Sequence, residues 1–459
     1  MKAIIILSAL GLATMFVGVY NFKKALLPMI LLGLLAIIGV NTMEWNTNLR
    51  YYNDMLYIDN WAVVFTNLIL GVSILIFLLS GKYFKSSPEH LEDNYAIILF
   101  TIVGAILMVS YSNIVMLFIG IETLSISLYI LAGSKKNSLA SNEASLKYFL
   151  MGSFATGFLL FGIVLLYGAS GTFDLKILAN YVAGNHDSLP AIFYVGVLLM
   201  MIGLAFKVSI VPFHFWTADV YEGSPTLITA FMATVVKIAG FAAFLRLFFT
   251  CFSGISEHFI PILTILAVLT MFLGNITAVY QNNFKRMLAF SSIAHAGYML
   301  LAIIALKEAS FIVILLYTAA YSVATITAFA VLLMIKEAHA GNDSIETFNG
   351  LAKRSPFIAF ALLLAMLSLA GIPITGGFFA KYYLFANTIS AGYTWLVVVA
   401  VFNSAIGVFY YFKVIIASYF KEGIEEKLTI YPAYKLVLII TTIATLLLGI
   451  LPGLITEMM

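Results

Sequence analysis

The feature that most constrains this chain is a series of long apolar runs following one another almost to its end. Charged residues or Gly/Pro/Asn clusters divide them into fourteen, at about 3–20, 25–43, 61–80, 95–112, 114–133, 145–168, 190–216, 226–250, 258–280, 286–306, 309–335, 355–388, 394–419 and 433–456. Each run is close to or beyond the roughly 20 apolar residues that a helix needs to cross the hydrocarbon core of a bilayer. Peptide groups in lipid must be satisfied within the chain, so these runs read as helices. A transmembrane barrel would instead alternate apolar and polar residues over about 10 positions, which these continuous runs do not do. The expected fold is therefore an all-α polytopic membrane protein with about fourteen spans.

Composition agrees. The 459 residues are 63% hydrophobic and 10% charged, against about 45–50% and about 25% in a soluble domain. That is too little charge for a solvated surface, which excludes soluble globular and disordered classes. With 10 prolines, 32 glycines and one cysteine, collagen-like and disulfide-stapled chains are excluded too. No basic cluster exceeds two adjacent residues, so nothing points to nucleic acid. Cys251 alone cannot build an iron–sulfur centre or a disulfide framework, and reads as a small apolar filler. No spacing suits a zinc or haem site, and no phosphate loop or nucleotide fingerprint occurs. Energy must come from ion gradients or from partner subunits. The first run lacks a polar cleavage region and leads into Phe22-Lys23-Lys24, so it reads as a retained span rather than a signal peptide.

Loop lysines and arginines set the expected orientation. With the N-terminus outside, fourteen fall on inner loops, among them Lys85, Lys285, Arg286 and Lys427, and five on the outer side: Lys2, Arg50, Lys176, Arg246 and Lys307. Both termini are expected outside, and their lying on one side supports an even number of spans.

Five lysines remain inside spans: Lys147, Lys207, Lys237, Lys381 and Lys413. A charge at a helix centre costs about 2.5–3.5 kcal/mol on the insertion scale. Lys413 lies near a helix end and can snorkel. Lys147 also lies near a helix end, with Glu143 four residues before it, where a plain ion pair and a functional role are both open. Lys207, Lys237 and Lys381 lie deeper, where lysines mark polar pathways. Glu122 is the one deep carboxylate, with Ser125 and Tyr129 on its face. Its readings are a functional carboxylate or a satisfied structural one.

Two runs are interrupted, at Gly203-Leu-Ala-Phe-Lys207-Val-Ser-Ile-Val-Pro212-Phe-His214-Phe-Trp216 and at Ala370-Gly371-Ile-Pro373-Ile-Thr-Gly376-Gly377-Phe-Phe-Ala-Lys381. Proline removes a helix hydrogen bond and Gly-Gly permits unwinding. Each break lies beside a buried lysine, and paired broken helices point to inverted repeats. If spans 4–8 and 9–13 are the repeats, each break falls in the fourth helix of its repeat. Ordinary proline kinks are the alternative.

A lysine's hold on its proton changes with desolvation and with neighbouring carboxylates. A row of such lysines bridged by hydroxyls, histidines and water makes a proton relay. His295 has Ser291, Ser292 and Tyr298 on one polar face, as a relay member or as a merely hydrogen-bonded histidine. His214 lies in the first break with Asp219 and Glu222 after it, and structural anchoring is the stronger reading there.

Four signatures, in order, carry a resemblance. They are Glu143-Ala-Ser-Leu-Lys147-Tyr-Phe-Leu-Met-Gly152-Ser-Phe-Ala-Thr-Gly157, Phe206-Lys207 through Asp219-Val-Tyr221-Glu-Gly-Ser-Pro225, Arg286-Met-Leu-Ala-Phe-Ser291-Ser-Ile-Ala-His295-Ala-Gly-Tyr298, and Gly371-Ile-Pro373-Ile-Thr-Gly-Gly377-Phe-Phe-Ala-Lys381. Over nearly its whole length the chain resembles the antiporter-like subunits of the proton-pumping NADH:quinone oxidoreductase, respiratory complex I. The resemblance implies fourteen helices, inverted repeats of helices 4–8 and 9–13, and broken helices 7 and 12. It divides the chain into 1–94, 95–250, 258–419 and 433–459. It implies that Glu122 modulates Lys207, that Lys237 connects the halves, and that Lys381 serves the second half-channel. One sister subunit carries glutamate at the position of Lys381, which argues against it. Another continues into a long lateral helix, and the end at Met459 argues against that one. The implied setting is a bacterial inner membrane. The implied partners are other membrane-arm subunits, through them a flavin and iron–sulfur arm, quinone bound elsewhere, and lipid, with no cofactor in this chain. The alternatives are a subunit of a multisubunit cation/proton antiporter or membrane-bound hydrogenase, and a non-pumping structural subunit.

Overall fold

The computed structural model describes all residues except 21, 85–89, 424–427 and 454–459. Lys85 and Lys427 of the orientation argument, and the last positions of the fourteenth run, lie outside the described residues.

The chain opens with α1 (Lys2–Val19), α2 (Lys23–Thr42), a hairpin of β1 (Leu49–Tyr51) and β2 (Leu56–Ile58), and α3 (Asn60–Tyr83). A first series follows: α4 (Leu91–Ser110), α5 (Ile114–Ala132), α6 (Leu139–Ser170), α7 (Leu175–Gly184), α8 (Ala191–Lys207), α9 (Phe215–Gly223) and α10 (Thr226–Cys251). The second series is α11 (Ser256–Val279), α12 (Phe284–Ala305), α13 (Ala309–Ala338), α14 (Leu351–Arg354), α15 (Pro356–Ala370), α16 (Gly376–Ser390) and α17 (Thr394–Phe420), and α18 (Pro432–Ile450) closes the described chain. Twelve described helices are long and apolar enough to cross a membrane. Two more, Ala191–Lys207 and Pro356–Ala370, are apolar but shorter. Each of these is the first piece of an interrupted run.

Two of the longer connections between runs hold structure of their own. Residues 44–60 contain the β-hairpin. Residues 169–189 contain α7, which buries Leu175, Leu178 and Val182 on one face and is capped by Asp174.

The two series share local devices. Asn113 caps α5 and Asn283 caps α12, each accepting a main-chain N–H. Each asparagine also forms an isolated antiparallel bridge to a later connection, Asn113 to Asp174 and Asn283 to Ser344. A Cβ at Gly104 would lie 2.6 Å from Leu124 N of α5, and one at Gly274 would lie 2.5 Å from Ala294 N of α12. Both helix pairs therefore approach closely at a residue without a side chain.

Burial is uneven in a way that positions the site. The apolar windows of α10 and α12 are 100% buried and that of α13 is 94%, whereas those of α1 and α2 are 28%. Outer helices present side chains such as Phe154, Phe402 and Phe409 outward, as lipid-facing helices do. The helices that carry Lys237 and His295 are thus wrapped by protein, where polar groups can find partners.

Both breaks have visible causes. After Lys207, Ser209 takes φ 65° and Pro212 lacks an N–H. Trp216 Nε1 then donates to Phe206 O at 3.2 Å, and Thr217 Oγ1 to Ser209 Oγ at 2.8 Å, holding α9 against the end of α8. After Ala370, Gly371 takes φ 83° and Ile374 φ 75°, on either side of Pro373.

Candidate functional site

A helix end leaves carbonyls without intrahelical partners and carries partial negative charge. The broken helices place such ends inside the protein, and buried lysines occupy them. Lys381, 7% exposed, donates to Ala370 O at 2.9 Å and Leu369 O at 3.4 Å at the end of α15, and to Ser404 Oγ of α17 at 2.8 Å. A Cβ on Gly371 would lie 2.7 Å from its Cδ, so the glycine provides the room the side chain occupies. Lys237, 2% exposed, donates to Val208 O at 3.5 Å, just past the end of α8, and to Ser292 O of α12.

Lys207, 4% exposed, closes α8 and donates to Ser125 Oγ of α5 at 2.8 Å. Ser125 lies one turn beyond Glu122, so the sequence expectation that the two share a face is realised as a link to the lysine. Glu122 forms no ion pair with Lys207 within 4.0 Å. Its Oε1 is buried and has no hydrogen-bond partner among the described residues. The Lys207 ammonium lies 5.8 Å from the Tyr148 ring, and Tyr148 stacks on Trp216 at 4.5 Å. The first break thereby helps wall the lysine.

His295 is held within the second series of helices. Its Nδ1 shares a 2.8 Å hydrogen bond with the Tyr317 hydroxyl, and its Nε2 a 3.1 Å bond with that of Tyr411. Ser291 also hydrogen-bonds Tyr411. Lys381 lies 5.0 Å from the ring of Tyr298, whose hydroxyl accepts from Asn275 Nδ2 at 3.2 Å. The polar face expected around His295 is therefore real, and it is completed from α13 and α17.

The remaining residues separate from this row. Lys147 pairs with Glu143 at 2.7 Å, as the spacing suggests, and with Asp219 at 2.8 Å. Arg286 bridges Asp219 and Glu222 at 2.9 and 2.6 Å. This ionic chain is between three- and six-tenths exposed, as befits a helix-end network. His214 caps α9, is 8% exposed, and forms no hydrogen bond to Glu122 or to the three deep lysines. Lys413 bonds Gln281 O and Asn282 Oδ1 at the α11–α12 connection, where snorkelling was expected to take it.

Two of the charges counted for orientation are buried. Arg246, within the run 226–250, lies in α10, 8% exposed, and its guanidinium donates to Asp59 at 2.7 Å. Lys285, expected on an inner loop, lies in the first turn of α12, 1% exposed. Hydropathy does not show such burial, because both residues lie close to run ends. Tyr317, Tyr411 and Ser404 were also missed, since a hydroxyl in an apolar run gives no sign of what it will face. Among the described residues no group of three or more His, Cys, Asp or Glu side chains gathers as for a metal ion.

A bundle of long apolar helices, two of them broken with buried lysines at the broken ends, defines an antiporter-like membrane subunit. Residues 112–407 match the family described as "NADH:quinone oxidoreductase/Mrp antiporter, TM", and the chain belongs to it. Along its whole length it is 42% identical to NADH-quinone oxidoreductase subunit N of Flavobacterium psychrophilum, covering 100% of both chains. It is 40% identical to the subunit N of Trichlorobacter lovleyi, over 99% of this chain and 94% of that one. Among solved structures it is similar to a chain of respiratory complex I from Thermus thermophilus, with 32% identity, TM-score 0.85, and coverage of 99% and 98%. A chain of the Mrp complex from Dietzia shares the fold at TM-score 0.86 with 18% identity, covering 99% and 95%.

Proposed function

We propose that this chain is a proton-translocating membrane-arm subunit of an NADH:quinone oxidoreductase. It assembles with other membrane-arm subunits, and the flavin, iron–sulfur and quinone chemistry lies in other chains. The full-length 42% identity to subunit N supports this reading over a cation/proton antiporter, with which the Mrp likeness is one of fold. It works in a bacterial inner membrane with both termini outside and the lysine-rich loops inside. Residues 95–250 and 258–419 act as two inverted half-channels, a reading supported by the matched asparagine caps, bridges and glycine approaches.

The observation that carries the site reading is the row of buried ammonium groups held mainly by carbonyl and hydroxyl oxygens. Such a partner keeps the group in place without fixing its charge, so a neighbouring charge decides whether the proton stays. Quinone reduction elsewhere changes the charge at the start of the membrane arm. Glu122 then moves toward or away from Lys207, through a region where Ser125 already ties the lysine to its helix. The proton passes by Lys237 and His295 to Lys381 and leaves on the outer side. His214 and Lys147 position the first break and its flank rather than carry the proton.

Reconstituted complex carrying Glu122→Ala or Lys207→Ala should show depressed quinone-coupled pumping. Wild-type pumping in both variants would overturn the assignment.

A further inference from the structure

We propose that Lys285 is the group that loads protons into this row from the lysine-rich face. It deepens the function proposed above and rests on that reading for its meaning.

The argument begins with the pattern already described. Lys381 and Lys237 each occupy the carbonyls at or just past the C-terminal end of a broken-helix piece. Lys285 does the same at a third such end. Its Nζ donates to Glu222 O at 3.0 Å and to Ser224 O, both at the end of α9. It is the most buried of the lysines so placed, at 1% exposure, and forms no ion pair within 4.0 Å among the described residues. Its neighbour Arg286 takes the carboxylates of Asp219 and Glu222, so electrostatic anchoring of α12 is already supplied. An ammonium has three donors, and carbonyls account for two of them here.

On one side lies an opening. A cavity of about 410 Å³ is lined by Lys82, Lys135, Thr226, Lys336 and Glu337, among others. Thr226 is two residues beyond Ser224, whose carbonyl Lys285 holds and whose Oγ is buried with no hydrogen-bond partner among the described residues. A buried hydroxyl left so keeps its hydrogen-bonding capacity open beside the lysine.

On the other side lies the row. Ser292 is seven residues further along α12, on the same face and about 10 Å away at 1.5 Å per residue. Its carbonyl is the one Lys237 engages. Its hydroxyl faces the phenols of Tyr221 and Tyr321 without completing a hydrogen bond of good geometry. Tyr221 stands on α9, just before the carbonyls that hold Lys285. Polar groups of α9 and α12 thus run from Ser224, two residues before the cavity-lining Thr226, to Lys237, with Lys285 at the end nearer the cavity.

The test uses the assembled complex in inverted vesicles. In a Cys251→Ala background, Lys285→Cys should react with a charged, membrane-impermeant methanethiosulfonate added from the lysine-rich face and not from the other. No reaction from that face would overturn the proposal, and this readout is independent of whether Glu122 and Lys207 act as proposed. Lys285→Arg keeps the charge and the carbonyl contacts but does not release a proton. It should pump roughly tenfold slower or worse, the scale of a positioned proton carrier. Lys285→His should restore part of the rate, with its optimum moved to lower pH. The charged groups around it, Glu222, Arg286, Asp343, Lys336 and Lys135, are unchanged in all three variants. A purely structural lysine would be rescued by arginine, so wild-type pumping by Lys285→Arg would overturn the proposal. If that variant does not assemble, the labelling and the histidine variant decide.

Discussion

Lys207 is tied to Ser125 by a 2.8 Å hydrogen bond, one helical turn from Glu122. The lysine is therefore fastened to the helix of its carboxylate partner and not to the carboxylate. Ser125→Ala removes the hydroxyl that holds this buried ammonium and leaves a donor unsatisfied, at a cost of about 1–3 kcal/mol. Pumping in reconstituted complex should fall severalfold, and by less than in Lys207→Ala. Unchanged pumping would show that the tether has no part in coupling.

Gly371→Ala places a methyl group 2.7 Å from Lys381 Cδ at a residue with φ 83°. The left-handed backbone alone costs an alanine about 1–2 kcal/mol, which an assembled complex can absorb. The displaced lysine cannot keep both Ala370 O and Ser404 Oγ. Assembly measured on native gels should survive while pumping drops about tenfold or more, since loss of a positioned proton carrier costs at least that much.

Tyr411→Phe keeps the ring but removes the hydroxyl shared by His295 and Ser291. If His295 relays protons between Lys237 and Lys381, this change should slow pumping severalfold with quinone binding unaffected. His295→Phe should slow it further. Equal, wild-type rates in both would make His295 a structural histidine.

Arg246 and Asp59 are 9% and 13% exposed at the side chain, so their ion pair is buried. Removing one partner of such a pair typically costs about 3–5 kcal/mol, because the other charge is left uncompensated. Arg246→Met should sharply reduce the complex that survives heating. Arg246→Met with Asp59→Asn should recover much of it, since Asp59 caps α3 by accepting from Ala62 N and asparagine can do the same.

The Lys147–Asp219 pair is about 40% exposed on both sides. Exposed pairs contribute about 0.2–1 kcal/mol and are screened by salt. Lys147→Ala should therefore cost little stability and leave pumping near the wild-type rate. A tenfold loss of pumping would move Lys147 into the proton row.

Much of this protein is legible in one dimension. Hydropathy located every long helix, because a lipid-facing segment must be apolar along its own length. The breaks were visible in Pro212, Gly371 and Pro373, whose backbone chemistry is local. Glu122, Lys207, Lys237 and Lys381 stood out because a charge deep in an apolar run needs a reason. The sequence reading placed Lys285 on a loop and counted Arg246 only for orientation, because burial near a run end depends on which helices pack there.

What the sequence by itself determined is which segments are apolar enough to lie in the membrane and which charges fall near the middle of those runs, since both follow from residue type and spacing. Only the tertiary structure decided what those charges touch. Lys381 meets Ala370 O, Lys237 meets Ser292 O, and Lys285 meets Glu222 O through contacts made where helix ends are brought against other helices. Carbonyl acceptors are the same at every residue and leave no mark in the sequence, so the partners that hold these lysines become visible only when the chain is folded.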